Sequence, residues 1–374
     1  MLLRARHYAT GERIDVACER GSIKSIVPAT TAKADRDADW IAPALFDLQV
    51  NGCDGHSFNS AKLTRDDVRH VVHTCQKHGI SELCPTLVTG SFEALLHGFT
   101  TLSQACAAEP ELDRALVGFH LEGPYISPDD GPRGAHPLKH VRPPSWDEFQ
   151  RWQDAAGGRI RLVTLAPEHD GAMGFIEKLT KNGVVVSIGH TAAKREHLQA
   201  AVAAGARLST HLGNGSHAML PRHDNYLWEQ LGTDELWASL ICDGHHLPAA
   251  VVKCMLRVKT PARTILTCDA SPLAGLPPGK YRDWDQDFEI LPNGKIVVPG
   301  TAFLAGSGAF TDRCVGKVME MAGVSLAEAI DMASARPREL FRLPPRRLEA
   351  GHPAQLMLFD WEPGGEFTVR ELIA

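Results

Sequence analysis

Acidic and imidazole side chains stand at or near the ends of several short apolar runs in this sequence. Glu122 ends the run 115–122, His190 ends the run 184–190, and His211 lies near the end of the run 206–212. One carboxylate and two imidazoles, with a fourth position left open, form a ligand set that catalytic zinc sites use. Because three such groups are costly to bury without partners, we expect them to bind one divalent metal ion, Zn²⁺ by default or else Fe²⁺.

Asp269 ends another apolar run, 264–269. Residues 271–275 read as a loop, which argues against Asp269 as a helix cap. A carboxylate that faces an activated water is suited to act as a general base. We therefore interpret Asp269 as the catalytic acid–base residue.

Two amides, Gln49 and Asn51, lie at the end of the first apolar run, 44–51. Amide oxygens are weaker zinc ligands than imidazole or carboxylate, so we expect one metal ion rather than two. The amides either hydrogen-bond the end of the first strand or contact the substrate.

The apolar runs predict the elements that position these side chains. Runs such as 184–188 do not alternate with polar residues, which is typical of strands buried on both faces of a parallel sheet. Helical patterns lie between the runs, and Thr64 and Ser325 each begin one with a capping-box sequence. The candidate strands are 44–51, 80–88, 115–122, 160–166, 184–190, 206–212, 236–243 and 264–269.

Eight strands that alternate with helices predict an α/β fold, a closed (β/α)8 barrel in which the carboxyl ends of the strands surround the active site. The first strand is not followed by G-x-G-x-x-G, which argues against a dinucleotide-binding sheet. The two ends of the chain are short and strand-like, with a turn near Arg20, and we expect them to form one small β-sandwich. The predicted segments are 1–41 and 346–374 for the sandwich and 42–345 for the barrel.

Composition and charge limit the class of partner. The 374 residues carry a net charge of −6 without a block of like charge, which argues against a nucleic-acid partner. The first residues contain no apolar stretch typical of a signal peptide, and no run is long enough to cross a membrane. The nine cysteines include no C-x-x-C pair, and we interpret them as buried, reduced thiols of a cytoplasmic protein.

In these residues the chain resembles the N-acetylglucosamine-6-phosphate deacetylase family of the amidohydrolase superfamily. The resemblance covers nearly the whole chain. The Gln-x-Asn variant on the first strand and the His-Leu-Glu-Gly-Pro element are specific to this branch, since most members of the superfamily carry His-x-His on the first strand. The matching segments are 42–52, 120–124, 189–191, 210–212, 243–246, 267–270, 304–307 and 329–337.

The resemblance implies the same barrel, a β-sandwich from both termini, and one divalent metal ion on Glu122, His190 and His211. It implies that Asp269 is the catalytic aspartate and that His136 contacts the substrate near its carbonyl. Further residues match the family's substrate contacts: Arg222 and His246 at the phosphate, and Asn214 and Gly215 in the loop that meets the sugar phosphate. The family is homodimeric, and its phosphate-binding arginine reaches across from the neighbouring subunit.

The sequence departs from the family in the loop after His211, where the family has Asn-Ala-Met and this chain reads 214–219 as Asn-Gly-Ser-His-Ala-Met. If Asn214 is the equivalent asparagine, Arg222 falls at the expected spacing. If His217 begins the equivalent segment instead, the loop carries an insertion and the arginine assignment shifts. The metal ligands and Asp269 do not depend on this choice.

These interpretations predict hydrolysis of N-acetylglucosamine 6-phosphate to glucosamine 6-phosphate and acetate. The alternatives within enzymes are deacetylation of N-acetylgalactosamine 6-phosphate or of an unphosphorylated sugar. A dihydroorotase-like activity is disfavoured because neither His-x-His nor a bridging lysine occurs at the matching positions. A non-catalytic protein that binds a sugar phosphate is the alternative from a different class, because fold alone does not establish function.

Overall fold

The computed structural model describes residues 1–283, 286–301 and 303–373. Residues 284, 285 and 302 of the predicted segment 42–345, and residue 374 of the predicted segment 346–374, lie outside the described residues. The division of the chain at 41/42 and 345/346 stays a prediction.

Strands and helices alternate through the middle of the chain. The strands are β1 Leu2–His7, β2 Arg13–Glu19, β3 Ser22–Pro28, β4 Arg36–Pro43, β5 Leu45–Val50, β6 Gly52–Cys53, β7 His56–Ser57, β8 Ile80–Val88, β9 Phe119–Glu122, β10 Ile160–Leu165, β11 Val185–Ile188, β12 Leu208–Ser209, β13 Trp237–Leu240, β14 Thr264–Leu266, β15 Gly279–Asp283, β16 Gln286–Ile290, β17 Ile296–Val297, β18 Leu356–Asp360 and β19 Thr368–Ile373. The α-helices are α1 Arg65–Lys77, α2 Phe92–Ala108, α3 Pro110–Ala115, α4 Trp146–Ala155, α5 Ala172–Lys181, α6 Arg195–Ala204, α7 Tyr226–Gly232, α8 Ala249–Lys259, α9 Thr311–Ala322, α10 Leu326–Met332 and α11 Ala335–Leu340, and short 3-10 helices span Leu138–His140 and Pro261–Arg263.

Eight parallel strands form the central sheet in the order β5-β8-β9-β10-β11-β12-β13-β14. A parallel bridge between Val50 and Ala270 joins the ends of the first and last of these strands, which closes the sheet into a barrel. All six residues of β5 are buried, as expected for a strand covered on both faces. The predicted fold class, a (β/α)8 barrel with a small β-sandwich from both termini, is confirmed for the barrel, and the two termini form a separate β domain.

Seven of the eight predicted strands are shorter than their apolar runs, and in two of them the cause is a local turn. In the run 115–122, Pro110 at the first turn begins helix α3, and Ala115 is its last residue, so β9 begins only at Phe119. In the run 206–212, the ladder β12 ends at Ser209, and His211 leaves extended backbone with φ 29°. Both differences lie where a local turn replaces extended backbone within an apolar run.

The two ends of the chain build one six-stranded sheet in the order β19-β18-β4-β1-β2-β3. Strand β18 pairs with both β4 and β19, so the C-terminal hairpin completes the N-terminal strands. The predicted turn between β2 and β3 is present, with Arg20 at φ 50° and Gly21 at φ 75°, a pair of positive values typical of a tight hairpin turn.

An ion pair anchors the start of this terminal sheet. Asp15 on β2 is 2% exposed and accepts hydrogen bonds from Arg4 Nε on β1 at 2.7 Å and from the backbone N–H of Thr30 at 3.0 Å. The Arg4 guanidinium, together with the Thr30 donors, holds the pKa of Asp15 well below its usual range. The carboxylate is therefore charged and fully partnered in the folded protein.

Helices α1 and α10 begin as the sequence predicts. Thr64 accepts from the backbone N–H of Asp67 while the Asp67 side chain accepts from Thr64, and Ser325 and Glu328 make the same reciprocal pair. These capping boxes satisfy backbone N–H groups that the first helical turn leaves free.

A small antiparallel sheet follows the last barrel strand. Strands β15, β16 and β17 pack a core of their own from Leu273, Phe288, Ile290, Ile296 and Ala305. A bridge between Val297 and Leu304 returns the chain to the barrel. This insertion brings residues 303–306 to the carboxyl ends of the strands.

The cysteines and the helices can be compared with the sequence predictions. All nine cysteines are free thiols, and each is buried except Cys254. Within the described residues, the helices are too short or too polar to span a bilayer.

Candidate active site

A cavity of about 370 Å³ opens at the carboxyl ends of the barrel strands. Five of the residues that line it are ones whose chemistry the sequence singles out at strand ends: Asn51, Glu122, His190, His211 and Asp269. His246, matched by the resemblance, also lines it. Further walls come from the loops 131–137, 213–217 and 303–306. The barrel thus brings side chains that are far apart in the sequence to one concave surface, as expected for this fold.

Three side-chain atoms converge on one wall of this cavity. His211 Nε2 lies 3.0 Å from Glu122 Oε1, His190 Nε2 lies 3.3 Å from the same oxygen, and the two Nε2 atoms lie 3.1 Å apart. Ligands that bind zinc tetrahedrally at about 2.0–2.1 Å lie about 3.3 Å from each other. The spacing and the chemistry of the three atoms therefore fit a single divalent ion.

The imidazole of His190 is oriented for this role by the backbone. Its Nδ1 donates to the carbonyl oxygen of Pro132 at 2.8 Å, so its Nε2 carries a lone pair that points to Glu122 and His211. Ligating histidines usually donate their second nitrogen in this way. His211 differs, because its Nδ1 is buried without a partner among the described residues.

The backbone at these positions is itself unusual. His190, His211 and Asp269 have φ angles of 51°, 29° and 51°, in the left-handed region that non-glycine residues rarely adopt. Strained backbone of this kind concentrates at functional sites, where the surrounding structure holds it in place. The turns direct the three side chains into the cavity immediately after their strands.

A fourth titratable group, His136, lies against the cluster. Its ring meets that of His190 edge to face at 4.3 Å between centroids, and one ligand atom each of Glu122, His136 and His190 lie within 4.8 Å of one another. Burial lowers the pKa of His136 to about 3, so the imidazole is neutral. Its Nδ1 lies 2.8 Å from Thr89 Oγ1. Two sets of three ligands are therefore possible on distance alone, one with His211 and one with His136.

Gln49 joins the two carboxylates of the site. Its Nε2 lies 2.9 Å from each oxygen of Glu122 and 3.1 Å from Asp269 Oδ1. Asn51 Nδ2 donates to the same Asp269 oxygen at 2.7 Å. The amides hold the carboxylates in place, while Asn51 also lines the cavity.

The two carboxylates have opposite pKa shifts. Burial raises the pKa of Asp269 to about 8, and the negative charge of Glu122 adds to this shift. Burial alone would also raise the pKa of Glu122, but the adjacent imidazoles of His190 and His211 lower it well below its usual range. A cation at the three-atom cluster would lower the pKa of Asp269, because it favours the charged carboxylate.

Beneath the cavity, Asp47 on β5 fixes the first and last barrel strands to each other. Its carboxylate accepts from the backbone N–H of Cys268 at 2.8 Å and from the hydroxyls of Thr267 and Thr311. This network places Asp269, the next residue after Cys268. Asp47 is not among the residues predicted for the site, although an aspartate in the middle of a mostly apolar run indicates a buried polar role.

The loop after His211 lies on the cavity wall, with Asn214 and Gly215 next to the metal-ligand candidates. Asn214 Nδ2 donates to the carbonyl oxygen of His211 at 3.0 Å. A Cβ at Gly215 would lie 2.7 Å from His190 Nδ1, and its φ is 53°, so only glycine fits without displacement. His217, also on the wall, was not predicted, and its backbone N–H and Nδ1 both meet the hydroxyl of Tyr226, at 2.8 and 3.0 Å.

The two residues assigned to the phosphate by resemblance lie in different places. His246 lines the cavity, and its Nδ1 bonds to Asp243 at 2.8 Å. Burial acts to raise the pKa of Asp243, but the bonds from His246 lower it overall, so this carboxylate is charged. Arg222 is exposed and does not line the cavity of this chain. Among the described lining residues there is no lysine or arginine.

No model of a protein family matches the sequence. The individual proteins to which it is similar are deacetylases of amino-sugar phosphates. The chain is 35% identical over 334 residues to N-acetylglucosamine-6-phosphate deacetylase of Bos taurus, covering 86% of this chain and 79% of the relative. It is 32% identical over 350 residues to N-acetylgalactosamine-6-phosphate deacetylase of Escherichia coli O157:H7, covering 91% and 89%.

A solved structure extends the likeness to the fold. It is an aspartate-to-alanine mutant of N-acetyl-D-glucosamine-6-phosphate deacetylase from Mycobacterium smegmatis in complex with N-acetyl-D-glucosamine-6-phosphate. It superposes with a TM-score of 0.89 at 29% identity and covers 99% of this chain and 97% of its own.

Proposed function

Because the chain belongs to the N-acetylglucosamine-6-phosphate deacetylase family of the amidohydrolase superfamily, we propose that it hydrolyses N-acetylglucosamine 6-phosphate to glucosamine 6-phosphate and acetate. One observation carries the proposal. Glu122, His190 and His211 converge to within 3.3 Å of each other in a cavity that also holds Asp269. That arrangement suits hydrolysis of an amide, a reaction in which both the carbonyl and the attacking water need activation.

We assign one divalent metal ion to Glu122, His190 and His211, with Zn²⁺ as the default and Fe²⁺ as the alternative. When bound, the ion polarises the acetyl oxygen and lowers the pKa of a water from about 15.7 to about 7. Gln49 supports the ligand set, because its amide holds both oxygens of Glu122.

Asp269 transfers the proton. It takes one proton from the attacking water as a C–O bond forms at the acetyl carbon, and it passes that proton to the nitrogen as the C–N bond breaks. The products are acetate and the free amine. Asn51 and Gln49 hold the Asp269 carboxylate at the cavity wall through Oδ1, which leaves Oδ2 for the proton.

His136, Asn214 and Gly215 bind the substrate in this proposal. His136 faces the acetyl carbonyl from the side of the cavity next to His190. Asn214 and Gly215 meet the sugar from the loop after His211. Gly215 contributes by having no side chain, because its backbone lies close to the His190 ring.

We place the 6-phosphate near His246 and assign its counter-charge to Arg222 of a second subunit in a homodimer. The cavity walls described here carry no lysine or arginine, although a phosphate dianion favours cationic partners. Met219 and Trp228, which flank Arg222 in sequence, are 88% and 58% exposed. Apolar side chains exposed to this degree suit a surface that another copy covers.

Deacetylation of N-acetylgalactosamine 6-phosphate is the second candidate, supported by the Escherichia coli relative of that name. The two sugars differ only in the configuration of one hydroxyl. We place the protein in the cytoplasm, because its nine cysteines are free and a reducing compartment keeps thiols in that state.

The experiment that tests the proposal is an acetate-release assay on a matched panel. It uses N-acetylglucosamine and N-acetylgalactosamine, each with and without the 6-phosphate, and purified protein of measured metal content. The highest kcat/KM is expected for N-acetylglucosamine 6-phosphate. A preference for the galactosamine epimer supports the second candidate, and binding without acetate release from any of the four sugars would rule out both.

A further inference from the structure

Thr89 follows strand β8 and is 3% exposed, behind the cavity wall. Its hydroxyl oxygen lies 2.8 Å from Nδ1 of His136, which is itself 8% exposed. No other hydrogen-bond partner of this hydroxyl occurs among the described residues. The pair is therefore a closed contact between one hydroxyl and one ring nitrogen.

The direction of this hydrogen bond follows from counting donors. A neutral imidazole has one N–H and one lone pair, and a hydroxyl has one hydrogen. If Thr89 donates to Nδ1, both buried groups are satisfied and the imidazole proton resides on Nε2. If Nδ1 donates instead, the hydroxyl hydrogen is left in a buried place without an acceptor, which is unfavourable.

We propose that Thr89 is a positioning residue that holds His136 in the tautomer with its proton on Nε2, directed into the cavity. The inference rests on the proposed function, in which His136 faces the acetyl carbonyl. A neutral N–H aimed at that oxygen stabilises the negative charge that develops on it during attack. Thr89 acts through His136 and does not touch the substrate.

Gly123 provides the space for this contact. A Cβ at Gly123 would lie 2.2 Å from Thr89 Oγ1, and its φ of 82° is one that glycine adopts without strain. Gly123 directly follows Glu122. The turn at Gly123 therefore places the Glu122 carboxylate at the candidate metal site and also leaves room for the Thr89 hydroxyl that orients His136.

The inference also separates the two possible sets of metal ligands. His190 donates from Nδ1 to the Pro132 carbonyl and presents a lone pair on Nε2, whereas His136 presents an N–H there. A protonated nitrogen cannot bind a metal ion. The two neighbouring imidazoles therefore have different tasks, with His190 on the metal beside His211, and His136 on the substrate.

The test compares Thr89→Val, Thr89→Ser, His136→Gln and the double variant Thr89→Val/His136→Gln. For Thr89→Val, kcat is expected to fall on the order of tenfold to a hundredfold, with metal content unchanged and KM within about twofold. Thr89→Ser is expected to keep most of the activity, since it keeps the hydroxyl. In the His136→Gln background, Thr89→Val is expected to cause no further loss, because the residue through which it acts is gone.

A second readout does not depend on turnover. In zinc-loaded protein labelled with ¹⁵N-histidine, the His136 signals are assigned by their loss in His136→Gln. Nδ1 is expected at the shift of an unprotonated ring nitrogen and Nε2 at that of a protonated one. Metal analysis is expected to give one ion per chain in His136→Gln.

Each contrary result overturns the inference. A protonated Nδ1 in the wild type does so, as does an equal loss from Thr89→Val with and without His136, or loss of the metal in His136→Gln. If Thr89→Val fails to fold, Thr89→Ser and the wild-type ¹⁵N spectrum still decide. A wild type that releases no acetate would overturn the proposed function alone, because the nitrogen shifts report the tautomer independently.

Discussion

The Nε2 atoms of His190 and His211 face each other at 3.1 Å, and both lie within 3.3 Å of Glu122 Oε1. His190 has its proton on Nδ1, so its facing nitrogen carries a lone pair. If His211 also presents a lone pair on Nε2, the two nitrogens repel at this distance, and a cation between them removes the repulsion. The close approach of the two Nε2 atoms is therefore stable when a metal ion binds between them.

His211→Gln is expected to lose the bound metal, because it removes one of three converging ligands. Elemental analysis after dialysis measures the metal, and thermal unfolding with and without added Zn²⁺ measures its effect on stability. Saturation at about 100 times the dissociation constant adds about 2.7 kcal/mol to the wild type. His217→Gln, another histidine of the cavity wall, is the matched control and should keep the metal. Equal metal content in both variants would contradict the ligand assignment.

Asp269→Asn is expected to keep the metal and to lower kcat by about 10²- to 10⁴-fold, the range for loss of an acid–base group. An amide keeps the shape of the side chain but cannot accept the proton. Steady-state acetate release measures the effect, and Asp170→Asn, at an exposed position, serves as the control. Turnover near that of the wild type would remove Asp269 from the mechanism.

Gly215→Ala is expected to weaken metal binding, because the new methyl group would lie 2.7 Å from His190 Nδ1 and displace that ring. The φ of 53° adds strain for any residue with a Cβ. Disturbing the groups that orient a metal-binding histidine costs about 10- to 100-fold in metal affinity. Gly174→Ala, in helix α5 with no atom near its Cβ, should leave metal affinity unchanged. A competition titration with a zinc chelator compares the two variants.

Arg222→Ala is expected to raise KM for the phosphorylated sugar by about tenfold or more and to leave the unphosphorylated sugar nearly unaffected. The reason is the loss of a charge-assisted hydrogen bond to phosphate, worth about 1.5–3 kcal/mol. Sedimentation of the variant checks that its oligomeric state is that of the wild type. If both sugars lose affinity alike, the arginine does not bind the phosphate.

The Arg4–Asp15 pair predicts a dependence of stability on pH. The folded pKa of Asp15 is depressed, so its contribution is present above the unfolded pKa near 3.8 and is lost as the pH falls towards the folded value. Asp15→Asn is expected to destabilise the protein by about 1–3 kcal/mol at pH 7, because buried donors lose their acceptor. Urea unfolding at pH 7 and at pH 3.5 measures this, and the difference from wild type should shrink at the lower pH. Asp37→Asn, in an exposed pair with Arg13, should change little at either pH.

The barrel could be predicted from the sequence because its signals are local. Each buried strand is an apolar run, and strand and helix patterns alternate for most of the length of the chain, which leaves few topologies. The capping boxes at Thr64 and Ser325 are local as well. The shortened strands at 115–122 and 206–212 could not be predicted, because an apolar run does not show where its backbone turns.

The site could be predicted in part, for a similar reason. Polar residues at strand ends are visible in the sequence, which identified Glu122, His190, His211 and Asp269. Asp47 and Thr89 were not identified as site residues, because their roles depend on partners such as Cys268 and His136 that only the folded barrel brings to them. Arg222 matches by spacing alone, and its role stays a prediction.

The pairing of β18 with β4 has a consequence for synthesis. Leu358 on β18 pairs with Ile41 on β4. One edge of β4 therefore has no strand partner until β18 has been translated, after nearly all of the barrel. Exposed edges of this kind invite other chains to pair with them. Until strand β18 emerges and pairs with β4, the nascent protein is therefore open to edge-to-edge pairing with other chains.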